Sequence, residues 1–259
     1  GIERGCLARG ISGLSNNITA AVTKLHKAAK YASHANHAKN PANQRDDEAY
    51  EAYPHNCIGG QTYERYRTSL VQTFNRILPH LAATTPRQLS LIAWSMARLK
   101  LTPGSEHFLF AEMLRRASEL DTQGISMVMW SFASLSEVTT EPLFNLLAFF
   151  ASTKLQDMSS QSISNVLWSC AVLEKDSMPL MWAVQCRAVV STVSSSASTQ
   201  GAANIVWAMA RLSRGGCLLQ EEAARLAAQR AKELQPAEAA AVVWAVAVQS
   251  HSLQPHASC

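Results

Sequence analysis

The residues able to do covalent or metal chemistry in this chain are scattered. Six cysteines (Cys6, Cys57, Cys170, Cys186, Cys217, Cys259) form no Cys-x-x-Cys pair, and the eight histidines complete no metal-spaced set with them. A zinc site needs clustered ligands at short spacing. The glycines at 1, 5, 10 and 13 lack a following Gly-Lys-Ser/Thr, and neither His-Glu-x-x-His nor Gly-x-Ser-x-Gly occurs. The chain is therefore read as not an enzyme, with no cofactor, no metal and no small-molecule substrate. Another chemistry does recur at fixed spacing. Gln161 and Asn165, then Gln200, Asn204 and Arg211, stand at common offsets from Trp168 and Trp207. Carboxamides and guanidinium groups repeated once per structural unit suit base-edge recognition of the kind that one-base-per-repeat RNA readers use. The competing reading is that Asn165 and Asn204 satisfy backbone groups between repeats while the glutamines fill a helix first turn.

These offsets belong to a repeat. Trp94, Trp130, Trp168, Trp207 and Trp244 are separated by 36, 38, 39 and 37 residues. Around them run Leu-Ser-Leu-Ile-Ala-Trp-Ser-Met-Ala-Arg-Leu (89–99), Ile-Ser-Met-Val-Met-Trp-Ser-Phe-Ala-Ser-Leu (125–135) and Ile-Ser-Asn-Val-Leu-Trp-Ser-Cys-Ala-Val-Leu (163–173). The series ends with Ala-Ala-Asn-Ile-Val-Trp-Ala-Met-Ala-Arg-Leu (202–212) and Ala-Ala-Ala-Val-Val-Trp-Ala-Val-Ala-Val-Gln (239–249). Five segments in register mark a repeat architecture. Pro86, Thr122, Ser160, Thr199 and Pro236 precede the indoles by eight residues, where a cap or first-turn proline belongs, so each segment reads as a helix A. A helix B is predicted over 105–119, 141–154, 178–190 and 218–234, with 191–199 and Gly215-Gly216 as connectors.

At 100° per residue, the positions five and two before each indole, and two and five after it, fall within about 80° of one another. They form one apolar stripe, as in Leu89, Ile92, Met96 and Leu99. The indole and the alanine three residues later lie on roughly the opposite side, so helix A is expected to be sandwiched. The small residue after each Trp lets a neighbouring helix approach, and the indole is expected to fill the space between repeats. One column escapes burial: the positions seven and three before the indole and four after it. It carries Arg87, Leu91, Arg98; Gln123, Met127, Ser134; Gln161, Asn165, Val172; and Gln200, Asn204, Arg211. In the last copy Ala237, Ala241 and Val248 read as buried or terminal.

The fold class implied is all-α: an α-solenoid of about five to six helix-turn-helix repeats of about 37 residues, with a right-handed superhelix expected. The composition agrees, with 47% apolar residues, only 11 Gly and 9 Pro, and no run long enough to span a membrane. Before Thr85 the pattern decays. Tyr63–Leu81 reads as a helix B, and Asn17–Leu25 as a helix A with Ala20 in place of the Trp. Residues 32–60 form a polar insertion. The chain divides into a basic arm with a degenerate first helix and insertion (1–60) and a repeat region (61–259) whose last repeat is incomplete.

The Trp-Ser/Ala-x-Ala-x-Leu core, preceded in places by Asn-Ile/Val, resembles the octotricopeptide and heptatricopeptide repeats of organellar RNA-binding proteins, relatives of the FAST-kinase-like proteins. The likeness covers about 85–250 well and 12–84 loosely. It implies organellar RNA maturation, stability or translation, or an added subunit of a divergent mitochondrial ribosome. It does not extend to the nuclease-like domain that many members carry.

Charge supports the same direction. Residues 1–45 hold seven Lys/Arg against Glu3, a net +6, whereas 46–259 hold 16 bases and 18 acids, a net −2. A basic segment suits a phosphate-rich partner, because each cation that neutralises a phosphate releases counterions. It also suits the start of a mature organellar protein. The expected function is an rRNA-contacting accessory subunit of a mitochondrial ribosome, in the matrix (alternatively the chloroplast), with RNA and neighbouring ribonucleoprotein proteins as partners. The expected phosphate contacts are Lys24, Lys27, Lys30, Arg98, Lys100, Arg115, Arg116, Arg211 and Arg214. The expected base contacts are Gln161, Asn165, Gln200 and Asn204. A protein–protein scaffold, or a free RNA maturation factor, are the alternatives; the near-neutral 46–259 favours the former.

Overall fold

In the computed structural model, which describes residues 15–30, 60–101, 104–135, 141–212 and 217–252, the five tryptophan-bearing helices start eight residues before their indoles. They are α3 (Pro86–Leu99), α5 (Thr122–Leu135), α7 (Ser160–Val172), α10 (Thr199–Arg211) and α12 (Pro236–Ser252). The caps stand one residue earlier than expected. Thr85, Ser159 and Ser198 accept from the backbone N–H three residues on, and Asp121 Oδ1 accepts from Gly124 N–H at 2.6 Å. Thr85 and Gln88 close a reciprocal capping box. Each cap satisfies an N–H that the first helical turn leaves without a carbonyl. Two of these helices end in a left-handed residue six positions after the indole, Lys100 (φ 49°) and Glu174 (φ 52°). Their turns return Leu101 N–H to Met96 O and Lys175 N–H to Cys170 O.

The described residues form helices and the turns that join them, without a strand. They fall into two compact units, up to Arg115 and from Arg116 onward. In the first, α1 (15–30), α2 (Gly60–Ile77), α3 and α4 (Glu106–Arg115) bury Val22, Leu25, Phe74, Ile92 and Met113. Helix α2 stops at Ile77 and tightens into a 3₁₀ turn, Leu78–Ala83. Pro79 has no N–H to continue the α-helical ladder. Only Gly60 of the polar insertion is described, as the first residue of α2; the rest of 32–60 and residues 1–14 lie outside the described residues.

In the second unit the tryptophan-bearing helices pack consecutively: α5 on α7, α7 on α10, α10 on α12. Helix α6 (Glu141–Lys154) packs on α5, and α11 (Leu218–Gln229) on α10. The predicted helix over 178–190 is instead two helices, α8 (Met178–Ala183) on α6 and α9 (Arg187–Ser196) on α11. The predicted connector over 191–199 is helical as far as Ser196. Val189, Val193 and Ala197, four apart, are buried, and that apolar spacing overrides the weak helix propensity of the serine run.

Two clasps recur. Lys154 Nζ donates to Leu120 O at 3.0 Å, and Arg230 Nη1 to Ala197 O at 2.9 Å. Both acceptors lie ten residues before an indole. In each case the cation ending helix B reaches the carbonyl just before helix A of the same repeat.

Candidate nucleic-acid interface

The residue after each indole is completely buried in all five copies: Ser95, Ser131, Ser169, Ala208 and Ala245. The three serine hydroxyls donate to the carbonyls of Leu91, Met127 and Asn165, four residues back, each at 2.6 Å. A small side chain that satisfies its own hydroxyl is what a close helix–helix approach requires. The alanine three residues after the indole is buried in the first four copies and exposed in α12.

The indoles themselves depart from expectation. Trp94, Trp130, Trp168 and Trp207 are half-buried and Trp244 is exposed. On the helical wheel each lies about 60° from the buried alanine and about 60° from the position three residues before it. The indole is thus the inner border of the open column rather than buried filling. Four of the rings meet in pairs across successive copies: Trp130 stacks on Trp168 with centroids 6.3 Å apart, and Trp207 meets Trp244 at 6.3 Å. Asn165 and Asn204 are half-buried beside these rings, and Gln161 and Gln200 are exposed. Their carboxamides make no hydrogen bond to other described residues. In the last copy Ala237 is exposed and Ala241 and Val248 are half-buried.

The first unit holds the cationic version of this column. Gln88 Nε2 donates to Thr19 Oγ1 at 3.1 Å, and His26 packs on Trp94 with ring centroids 5.3 Å apart. Helices α1 and α3 therefore run parallel, and the ring that meets Trp94 is His26, not a group at Ala20. Burial, then the charges of Lys30 and Arg87, hold the His26 pKa below its ordinary value, so the imidazole is neutral near pH 7. The Arg98 guanidinium lies over the Trp94 ring at 5.9 Å from its centroid, and partial burial lowers its pKa. Sequence reasoning passed over His26; its position four residues before Lys30 on one helical face was the available signal.

The other expected phosphate contacts are dispersed. Lys27, Lys30 and Lys100 are exposed, and Lys24 Nζ donates to Ser69 Oγ at 3.0 Å. Arg115 is exposed but paired with Glu112 at 2.6 Å, and Arg116 is buried and paired with Glu119 at 2.7 Å. Arg211 is exposed and pairs with Glu174. Arg214 lies outside the described residues. Lys24, Lys27, Lys30, Arg98, Lys100 and Arg115 belong to the first unit, Arg116 and Arg211 to the second.

An open groove of about 550 Å³ between α9 and α11 is lined by Arg187, Val190, Ser191, Ser194, Leu218 and Glu222, among others. Ser194 donates to Glu222 at 2.5 Å. Arg225, then Ser194, hold the Glu222 carboxyl at a pKa of about 2, too weak a base to take a proton from a serine hydroxyl at neutral pH. Burial pushes the Cys170 thiol up to about 12, which keeps it in the unreactive protonated form. Among the described residues, no three of His, Cys, Asp and Glu are grouped to hold a metal, and no helix is long and apolar enough to cross a membrane. No family model and no curated protein matches the chain.

Proposed function

We propose that this is a non-enzymatic helical-repeat RNA-binding protein of an organelle, acting as an rRNA-contacting accessory subunit of a mitochondrial ribosome. The observation that carries the reading is the open column, bordered by an indole, that recurs on successive packed helices. It presents carboxamides at Gln161, Asn165, Gln200 and Asn204, and guanidinium groups at Arg87, Arg98 and Arg211. Half-exposed aromatic rings with adjacent cations and amides suit unpaired bases and their phosphates. Each unit is proposed to be a stretch of right-handed α-solenoid built from repeats of about 37 residues. The consecutive packing of α5, α7, α10 and α12 supports that architecture. Arg116, buried against Glu119, is left out of the proposed contacts.

A specific observation favours protein contact as well. Helix α12 exposes Val243, Trp244 and Val246. A ribonucleoprotein subunit meets RNA and protein through different surfaces. The test is binding of the full chain to single-stranded and structured organellar RNA across a salt series. Phosphate-dominated binding weakens by orders of magnitude between about 50 and 200 mM salt if six or more contacts form. Absent or salt-independent binding overturns the reading in favour of a scaffold. Asn204→Ala changing base preference, rather than overall affinity, would move the assignment to a free sequence-specific maturation factor.

A further inference from the structure

We infer that the RNA backbone is held by the first unit, along the seam between α1 and α3, with Lys30, Arg87 and Arg98 as phosphate contacts around the His26–Trp94 pair. This rests on the RNA-binding reading above and says which surface supplies the affinity. Three observations converge on the seam. First, the described residues of this unit carry ten Lys/Arg against Glu64, Glu106 and Glu112, a net +7, whereas those of the second unit carry eight against ten acids, a net −2. Of those three acids Glu106 is buried and Glu112 is engaged by Arg115. Second, the parallel register fixed by Thr19–Gln88 and His26–Trp94 carries Lys30 and Arg98 each one turn beyond the ring pair, so cations from both helices flank one seam. Arg87 and Arg98, eleven residues apart on one face of α3, extend it over about 16 Å. Third, the same stations of the second unit are uncharged between α5 and α7, where Trp130 stacks on Trp168 with Gln123, Ser134, Gln161 and Val172 around them.

A line of cations beside a half-buried indole fits one strand of RNA, whose phosphates follow the line while a base reaches the ring. An anionic membrane is the less suited partner. The exposed large apolar side chains described in this unit, Phe108 and Leu114, lie on α4, whereas Leu91 and Trp94 on the seam are half-buried, so the seam offers a membrane little apolar surface to insert.

The test uses the full chain, fluorescein-labelled single-stranded RNA of mixed sequence, and anisotropy across about 50–200 mM KCl. Lys30→Glu with Arg87→Glu should weaken binding at least about tenfold and lower the salt slope by about 0.7 for each phosphate no longer neutralised. Arg187→Glu with Lys232→Glu, the same change of charge on exposed residues of the second unit, should shift affinity less than about twofold. Lys30→Gln with Arg87→Gln should keep the wild-type melting temperature and still lower the slope, which separates a weaker hold on phosphate from a damaged fold. Equal weakening by both reversal pairs, or none by the first, overturns the seam while leaving RNA binding intact. Wild type that fails to bind RNA at low salt overturns both proposals. Selective loss of phosphatidylserine-vesicle binding, with RNA binding unchanged, reassigns the seam to membranes.

Discussion

At Ser131 the side chain is completely enclosed and its hydroxyl returns to Met127 O at 2.6 Å. The repeat itself performs the alanine substitution at this station, as Ala208 and Ala245. Ser131→Ala should therefore change stability by less than about 1 kcal/mol, since donor and apolar replacement are close in net worth when no group is orphaned. Ser131→Leu adds a branched side chain at a completely buried station of α5, and should cost about 2–3 kcal/mol or more. Urea unfolding of both variants reads the difference; equal midpoints would mean the station tolerates bulk. A second prediction concerns acid. Glu222 has a folded pKa of about 2 against an ordinary 4.5. A depressed carboxylate stabilises the fold above its ordinary pKa and loses that contribution as pH falls through about 2. The pH dependence of the melting temperature should therefore be shallower between about 4.5 and 2 in Glu222→Gln than in wild type. Glu222 is half-buried but its partner Arg225 is exposed, so screening keeps the effect small and visible mainly at low salt.

At the level of elements, the starts of the five tryptophan-bearing helices were legible in sequence to within a residue, because a proline or hydroxyl residue at fixed distance before an indole is a strong local signal. The serine run at 191–196 was not. Serine usually marks connectors, and the buried Val189, Val193 and Ala197 spacing decides only once α11 is there to receive it. The clasp was equally hidden, since its acceptor is a backbone carbonyl. Arg230→Ala removes a partly buried charged donor to Ala197 O and should cost about 1.5–3 kcal/mol, whereas Arg230→Lys should recover part of it. Thermal melts of the two variants check this, and identical melting temperatures for Arg230→Ala and wild type would show the clasp to be idle. For the candidate site, Arg87, Gln123, Gln161 and Gln200 of the column are exposed, whereas Leu91, Met127, Asn165 and Asn204 are half-buried, as are four of the indoles expected in the interior. A wheel angle places a side chain at a border, and which way a ring leans is settled by the ring it meets on the next helix.

At the scale of the whole molecule, a linear charge count and the folded units divide the cations differently. The count assigned +6 to residues 1–45 and near-neutrality to the rest of the chain, because Asp46, Asp47, Glu48 and Glu51 cancel Arg65, Arg67, Arg76 and Arg87 along the sequence. Lys24, Lys27 and Lys30 sit on α1, and those four arginines on α2 and α3, so these seven cations belong to folded helices. Repeat register has a comparable consequence at the other end. Val206 and Val243 precede equivalent indoles, yet Val206 is 1% exposed and Val243 68%. Helix α10 is covered by α7, α11 and α12, whereas α12 packs on α10 and leaves its far side open. Identical residues at identical stations thus have opposite energetic weight. Val206→Asp places a carboxylate among apolar side chains and should destabilise by several kcal/mol or prevent folding. Val243→Asp should change stability by no more than about 0.5 kcal/mol. Urea midpoints of the two variants decide it: a Val243→Asp loss as large as that of Val206→Asp would mean that the open face of α12 is covered in the protein in solution.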